Sequence, residues 1–443
     1  MGRAYLAKSA GLGSLRPSSP DARPRPSRLR DRTTALPGWT ETRAYVLARI
    51  HKRSVTSPLR PCSPRFSDQL SNFPLDYIYP VAFQIPVHTK HPRHDSVSRF
   101  TVFIVLDHSL LSHSIPYQAL NSTMSYASRH YYDEAWSDNH ELPNLPGPSS
   151  CIYSSWTRRH QLPGTVEEFV DDSGLFWIGP KRKDRVILVV HGGGFCAPLA
   201  ECSMSFWNYV RRQLNSRSHI EVGVAFLDYT PIQDAPFPTQ LRQLAVAVDH
   251  LLATGTHPKD LHIVGDGMGG NIVMQFLSQL LHPIKSIGPI TKLSSPIRGV
   301  YLMSPLVTAE SRSESSKRTD FQGLVDVSHS LRRMGAYVNA IPTSRQQYAE
   351  PFDARDVWWD RLPQFADRFL VSVGEEVLGE ETRRFTNAVL TREGTEVQFE
   401  FQEGGLHCNP YYDFFVSDNP SLVASLTNTT IEWLERGFLD APV

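Results

Sequence analysis

The sequence predicts an α/β fold, a mostly parallel sheet with helices on both faces, and three observations carry that prediction. Short apolar runs rich in β-branched residues recur without polar alternation, as strands buried on both faces require. Helix-length segments with a single apolar stripe separate them. Glycine-rich turns follow two of the runs directly, at the strand ends where such sheets place their sites.

The first run is DRVILVV at residues 184–190, and the others are 222–229 (VGVAFLDY), 261–265 (LHIVG), 299–304 (GVYLMS) and 369–374 (FLVSVG). Between them, Leu241, Leu244, Ala245, Val248, Leu251 and Leu252 recur at helical spacing and form one apolar stripe. Residues 305–350 are polar and then helical over 325–340, which interrupts the alternation and suggests a second cap piece over a domain spanning 161–443. Ahead of it, residues 76–160 are poorly defined. Apolar pieces at 77–83 and 100–106 have no clear place, and the aromatic-rich YASRHYYDEAW within 116–160 suggests helical cap material.

The 443 residues carry 45 Lys plus Arg against 45 Asp plus Glu, and the zero balance argues against a dedicated nucleic-acid binder. The average hides a split. Residues 1–75 hold twelve Arg and two Lys against Asp21, Asp31, Glu41 and Asp68, so the remainder of the chain is net acidic. This front contains RPSSPDARPRPSRLRDR, where Pro and Arg leave no helical or strand period, and it reads as a disordered extension. Arg richness also fits a mitochondrial presequence, although the prolines spoil an amphipathic helix. No apolar run approaches the roughly 20 residues of a membrane span. Five cysteines, odd in number and unpatterned, fit a reducing compartment, and the expectation is an intracellular, cytoplasmic protein.

Two glycine motifs carry the chemistry. His191-Gly192-Gly193-Gly194-Phe195 follows the first buried run, and its glycines let backbone amides turn into the space above the sheet, where such amides stabilise an oxyanion. Gly265-Asp266-Gly267-Met268-Gly269-Gly270 lies between LHIVG and the apolar NIVMQFLSQLL, the place and spacing of a G-x-S-x-G nucleophile elbow. Its central residue is Gly267, not serine. Asp266 precedes the apex, so its side chain is expected to point away from the pocket. Cys196 and Cys202 lie near the first motif with nothing to lower their pKa, and read as structural.

HGGGF and GDGMGG resemble the HGGG loop and GDSAGG elbow of the hormone-sensitive-lipase-like branch of the α/β-hydrolase superfamily. The resemblance runs from about residue 156 to 434 and is nearest to fungal hydrolases of steryl-ester or natural-product type. LDYTPIQDAPFPTQ (227–240) occupies the place of the family's DYRLAPE-x-PFPA segment, and Met268 stands where alanine is usual. The resemblance implies an α/β-hydrolase fold with a helical cap. It maps the catalytic acid to Glu376 in VGEEVLGEE and the base to His407 in GGLHCNPYYDFF, with Glu375, Glu380 and Glu381 making a solvated acidic helix start the competing account of Glu376. Gly193, Gly194 and Met268 take the oxyanion-hole positions.

Without the serine, acyl-enzyme esterase chemistry is not expected, since losing that nucleophile costs on the order of a millionfold in turnover. A base facing an oxyanion hole suits proton abstraction beside a carbonyl, hence condensation, dehydration or cyclisation, as in fungal secondary metabolism. The alternatives are a carboxylic-ester hydrolase, with Gly267 a variant, or a binding protein. The gibberellin receptor of plants is similar to this branch and keeps the pocket without triad function. No cofactor or metal is implied, because neither glycine motif is a phosphate loop and no Cys/His spacing resembles a zinc site. Phe195, Phe206, Trp207, Tyr411 and Tyr412 near the motifs suggest a small or medium apolar carbonyl or ester substrate. Oligomeric state is not readable.

Overall fold

A computed structural model describes residues 45–51, 81–91, 94–105 and 148–439, apart from 196, 289–291, 311–326, 377, 416 and 421–422. The chain divides at residue 107 into two units. In the first, β1 (Tyr45–His51), β2 (Val81–His91) and β3 (His94–Val105) form an antiparallel sheet with β3 central. Of the apolar pieces that the sequence could not place, residues 81–83 lie in β2 and 100–105 in β3, while 77–80 and 106 lie outside the described residues. Tyr45–His51, within the stretch expected to lack regular structure, pairs along its whole length with β3. Its YVLARIH sequence is locally strand-like despite the Arg- and Pro-rich surroundings. The rest of the basic extension lies outside the described residues.

The second unit holds an eight-stranded sheet: β4 (Thr165–Glu168), β5 (Gly174–Ile178), β6 (Val186–Val190), β7 (Gly223–Asp228), β8 (Leu261–Asp266), β9 (Gly299–Met303), β10 (Arg368–Gly374) and β11 (Glu396–Gln402). Their order is β11-β10-β9-β8-β6-β7-β5-β4. The strands from β11 to β7 pair in parallel, and β5 and β4 join antiparallel at the edge. All five runs predicted from apolar continuity are strands. β4 escapes that reading because TVEE alternates in burial at the sheet's edge, whereas β5 (GLFWI), buried at every position, carries the continuous apolar signature yet is not among the five predicted runs.

Alternate residues of each strand feed two cores. Leu175, Trp177, Leu188 and Val190 pack with α3 (Thr239–Ala253) and α4 (Met268–Leu281). Phe176, Ile178, Ile187 and Val189 pack with α1 (Ser149–Arg159), α2 (Glu201–Ser218) and α7 (Ser425–Leu439). The predicted stripe is real: Leu241, Leu244, Ala245, Val248 and Leu251 are buried on α3. Of the segment expected as an N-terminal cap, the described part is α1, and it lies against the sheet. Tyr153 Oη donates to the Trp177 carbonyl at 2.6 Å, and Trp156 Nε1 donates to Ser205 Oγ at 2.9 Å. The helix predicted over 325–340 is α5 (Val327–Ala340), followed by the short α6 (Gln346–Ala349). Tyr337 of α5 meets Phe195 at 4.7 Å between ring centroids.

Every residue of α4 is buried, so its polar side chains need internal partners. Asn271 Nδ2 donates to the carbonyls of Leu306 and Ala349, and Gln275 Nε2 donates to Asn271 Oδ1, all at 2.8 Å. These bonds clamp the helix that starts at the glycine elbow to the 305–350 segment.

At the opposite end of β8, His262 is fully buried with neither ring nitrogen hydrogen-bonded. Its ring packs against Phe438 at 4.4 Å and Trp433 at 5.2 Å. Burial, with Arg368 and Arg298 adding to it, holds His262 well below the ordinary histidine value. The unfolded chain therefore binds a proton below about pH 6.5 that the folded chain refuses, and stability falls with acidification by up to about 1.4 kcal/mol per pH unit. His262→Phe is expected to flatten that dependence between pH 7 and 5. Thermal melts that show equal acid sensitivity in both proteins count against it.

Candidate active site

Four loops meet at the C-terminal edge of the parallel strands, where open α/β sheets bind their ligands. The elbow comes from β8 and α4. Gly267 lies between them with φ +52° and ψ −115°, a conformation that costs a side-chain-bearing residue about 1–3 kcal/mol. Neighbouring backbone holds it there: its amide donates to the Met303 carbonyl at 2.9 Å, and its carbonyl accepts from Leu306 N at 3.1 Å. A Cβ built on Gly269 would come 2.0 Å from the Val190 carbonyl oxygen, so glycine there lets the elbow press against the end of β6. Gly267 differs. A Cβ there would meet only the His407 ring, at 3.1 Å from Nε2 and 3.7 Å from Cε1.

The loop after β6 supplies the second element. Gly193 and Gly194 both adopt positive φ, at 92° and 63°. The Gly192 amide donates to Asp266 Oδ2 at 2.8 Å, which ties this loop to the elbow. Tyr229, from the LDYTP segment, props it from beneath by donating to the His191 and Gly192 carbonyls at 2.8 and 3.1 Å. His191 stacks on Tyr229, and burial pushes its pKa down to about 4, so it is neutral at physiological pH. Met268 is the first residue of α4, where helix amides lack intrahelical acceptors. Asp266 is buried, with its carboxylate oxygens held by the Gly192 amide and the Tyr411 hydroxyl.

Glu376 and His407 form the third and fourth elements. Glu376 follows β10, His407 follows β11, and His407 Nδ1 lies 2.6 Å from Glu376 Oε2 with both side chains largely buried. Of the four neighbouring glutamates, Glu375 accepts from the Gly404 amide at 3.1 Å and Glu380 pairs with Arg383 at 3.9 Å; Glu376 is the one beside the histidine. Burial opposes charge on the His407 ring, yet Cys408 and Glu376 beside it outweigh burial and hold it well above the ordinary histidine value. The buried Cys408 thiol is itself pushed up and stays neutral near pH 7, so the attraction comes from the Glu376 carboxylate. With Nδ1–H donating to that carboxylate, Nε2 is the free nitrogen, and it faces Gly267.

Gly267, His407 and Glu376 therefore form one line of contacts, and the 191–195 loop and the start of α4 adjoin it. Of the aromatics near the motifs, Phe195, Phe206, Trp207 and Tyr411 pack in the two cores, Phe206 edge-on against Trp207 and Tyr411, and Tyr412 is buried as well. They are apolar because they fill the layers beneath the loops. Two partners have no motif in the sequence. Ser304 Oγ accepts from the Cys408 amide at 2.9 Å, and Tyr411 Oη donates to Asp266 Oδ1 at 3.0 Å. Among the described residues, no group of three or more His, Cys, Asp or Glu side chains is arranged to hold a metal ion, and no helix is long and apolar enough to cross a membrane.

The family profile described as alpha/beta hydrolase fold matches residues 187–410, just over half of the chain. Steryl acetyl hydrolase 1 of Saccharomyces cerevisiae is 27% identical over 157 residues, 33% of this chain and 34% of that protein. An esterase of Acinetobacter venetianus is 28% identical over 207 residues, 45% of this chain and 60% of that protein. The chain thus spans about a third and three fifths of the lengths of these two relatives. Among solved structures, an esterase from the bacterial hormone-sensitive lipase family superposes with a TM-score of 0.50 at 20% identity, covering 72% of this chain and 98% of that one. That likeness is one of fold.

Proposed function

Since the chain belongs to the α/β-hydrolase fold family, we propose that its site performs general-base chemistry on a carbonyl compound, without a covalent acyl-enzyme. The observation that carries this reading is the free Nε2 of His407 facing the side-chain-free Gly267, with Glu376 on the opposite nitrogen. In a serine hydrolase the nucleophile's hydroxyl would occupy that room. Here a substrate's own acidic C–H takes its place.

His407 Nε2 accepts a proton from the carbon beside the carbonyl, and Glu376 stabilises the resulting imidazolium. The electron pair moves to the carbonyl oxygen, where the amides of Gly193, Gly194 and Met268 receive the developing charge. The enolate then adds to a second carbonyl, with His407 returning the proton to the new alkoxide, or expels a β-hydroxyl, with His407 returning the proton to the departing oxygen so that it leaves as water. Condensation, cyclisation and dehydration all share this first step. Glu376 also keeps the ring in the tautomer that leaves Nε2 free.

A second reading is ester hydrolysis by a water molecule that His407 activates directly, and kinship to proteins named esterase and steryl acetyl hydrolase favours it. Both readings use the same base and the same amides.

The test follows α-hydrogen exchange of short ketones and acyl esters in D2O by NMR, alongside release of acid from the esters. Exchange above the buffer rate with the native chain, lost in His407→Ala, is the expected result. Ester hydrolysis without exchange shifts the assignment to the water mechanism. Strong native hydrolysis abolished by a serine-directed phosphonate sinks both readings.

A further inference from the structure

We infer that Asp266 and Tyr411 are positioning residues, a buried carboxylate and its phenol partner that tie the oxyanion loop to the base loop so that the amides and His407 keep one register. The inference deepens the reading of the same site, but it stands on contacts that none of the proposed steps uses.

Asp266 closes β8, one residue before the elbow apex, and each of its oxygens holds a different loop. Oδ2 accepts from the Gly192 amide at 2.8 Å, and Oδ1 accepts from Tyr411 Oη at 3.0 Å. The approach on the first side is close, since a Cβ on Gly192 would lie 2.6 Å from Oδ2. On the second side Tyr411 is aimed by Trp207 of α2, whose Nε1 donates to its hydroxyl at 3.3 Å. Phe206 and Tyr411 are 5.3 Å apart edge to face, which keeps the phenol from swinging away.

Tyr411 lies four positions after His407, and local bonds stiffen that stretch. Tyr411 N donates to the Cys408 carbonyl at 3.0 Å, Leu406 N to Asn409 Oδ1 at 3.1 Å and Cys408 N to Ser304 Oγ at 2.9 Å. Whatever fixes the phenol thus fixes the imidazole. The brace links the ends of β6 and β8 to the loop beyond β11, joining the 191–195 loop to a base more than 200 residues later in the chain.

The charge environment makes the brace titratable. Burial pushes the Asp266 carboxyl up to about 6, against the pull of the Gly192 amide, Tyr411 and His407. The other groups facing it are the Cys202 and Cys408 thiols and the Tyr301 phenol. Both thiols and both phenols are pushed up by burial and stay neutral near pH 7. Of these groups, Asp266 is the one whose charge changes near pH 6. Protonating Asp266 weakens both charge-assisted bonds and lets the two loops part.

The test uses the full chain labelled with ¹⁵N at glycine and histidine, and follows the Gly192 amide and the His407 ring nitrogens against pH. In the native protein the Gly192 signal is expected to move with a midpoint near 6, and His407 to show an inflection at the same pH. Tyr411→Phe removes one donor to the carboxylate and is expected to raise both midpoints together by about one pH unit. Asp266→Asn, which keeps the shape, is expected to abolish both inflections. The inference is overturned if Tyr411→Phe leaves the two midpoints where they were, or if His407 shows no inflection in step with Gly192. Neither measurement reads turnover, so the brace and the proposed reaction stand or fall separately.

Discussion

Gly267→Ser is expected to raise hydrolysis of a short-chain acyl ester by at least ~10³-fold over the native chain, part of the roughly millionfold that a serine nucleophile contributes. The elbow is already folded for it. Gly267 holds the positive φ that a serine at such a turn must adopt, and the Met303 carbonyl and Leu306 amide secure that backbone from both sides. A new Cβ meets no backbone atom, only the imidazole at 3.1 Å, so a shift of a few tenths of an ångström admits the side chain. Its hydroxyl then lies within hydrogen-bond reach of Nε2. The variant is also expected to become labelled by a serine-directed phosphonate while the native chain is not. A folded Gly267→Ser protein that neither gains hydrolysis nor takes the label would show that the oxyanion loop and base do not form a working site.

His407→Ala is expected to lower α-hydrogen exchange by the native chain, and phosphonate labelling of Gly267→Ser, by about 10²- to 10⁴-fold, the usual contribution of a positioned general base. The pH profile offers a sharper signature than the loss itself. His407 is held above its ordinary value, and the base form is the unprotonated ring, so activity should rise with pH through a midpoint above 6.5. Glu376→Gln keeps the hydrogen-bonding shape and removes the attraction, so the midpoint should move down toward the ordinary value. The linkage has the matching sign. A raised folded-state pKa gives stability that is fully present below the unfolded value and is lost as pH rises through the folded one. Measured profiles of kcat/KM for the two proteins that share one midpoint would remove Glu376 from its role.

Much of the framework was legible because its causes are local. Strands covered on both faces must be apolar at consecutive positions, so residues 184–190, 222–229, 261–265, 299–304 and 369–374 identify themselves without knowledge of their neighbours. The two glycine motifs are legible for a related reason: tight turns at strand ends impose backbone approaches and positive φ values that few side chains tolerate. Glycine at position 267 is likewise read directly from the sequence.

What depended on tertiary structure is whatever required choosing among chemically equal residues or joining distant ones. Four glutamates within seven positions are equivalent on paper, and the packing of the loop after β10 against the Gly404 turn decides that Glu376 meets His407 while Glu375 serves a backbone amide. The aromatics beside the motifs carry the same composition whether they line a pocket or fill a core, and it is the fold that packs Phe206, Trp207 and Tyr411 into the layer between α2 and the sheet. The Asp266–Tyr411 contact spans 145 residues, and His262 is left without a partner by a helix that begins 163 residues later. Such contacts are set by which surfaces the folded sheet presses together, a non-local outcome that residue order alone does not encode in any short pattern. Local patterns in residue order therefore fix the strands, their turns and the glycine at position 267. The tertiary structure alone decided that the room left by that missing side chain opens onto a histidine paired with a carboxylate.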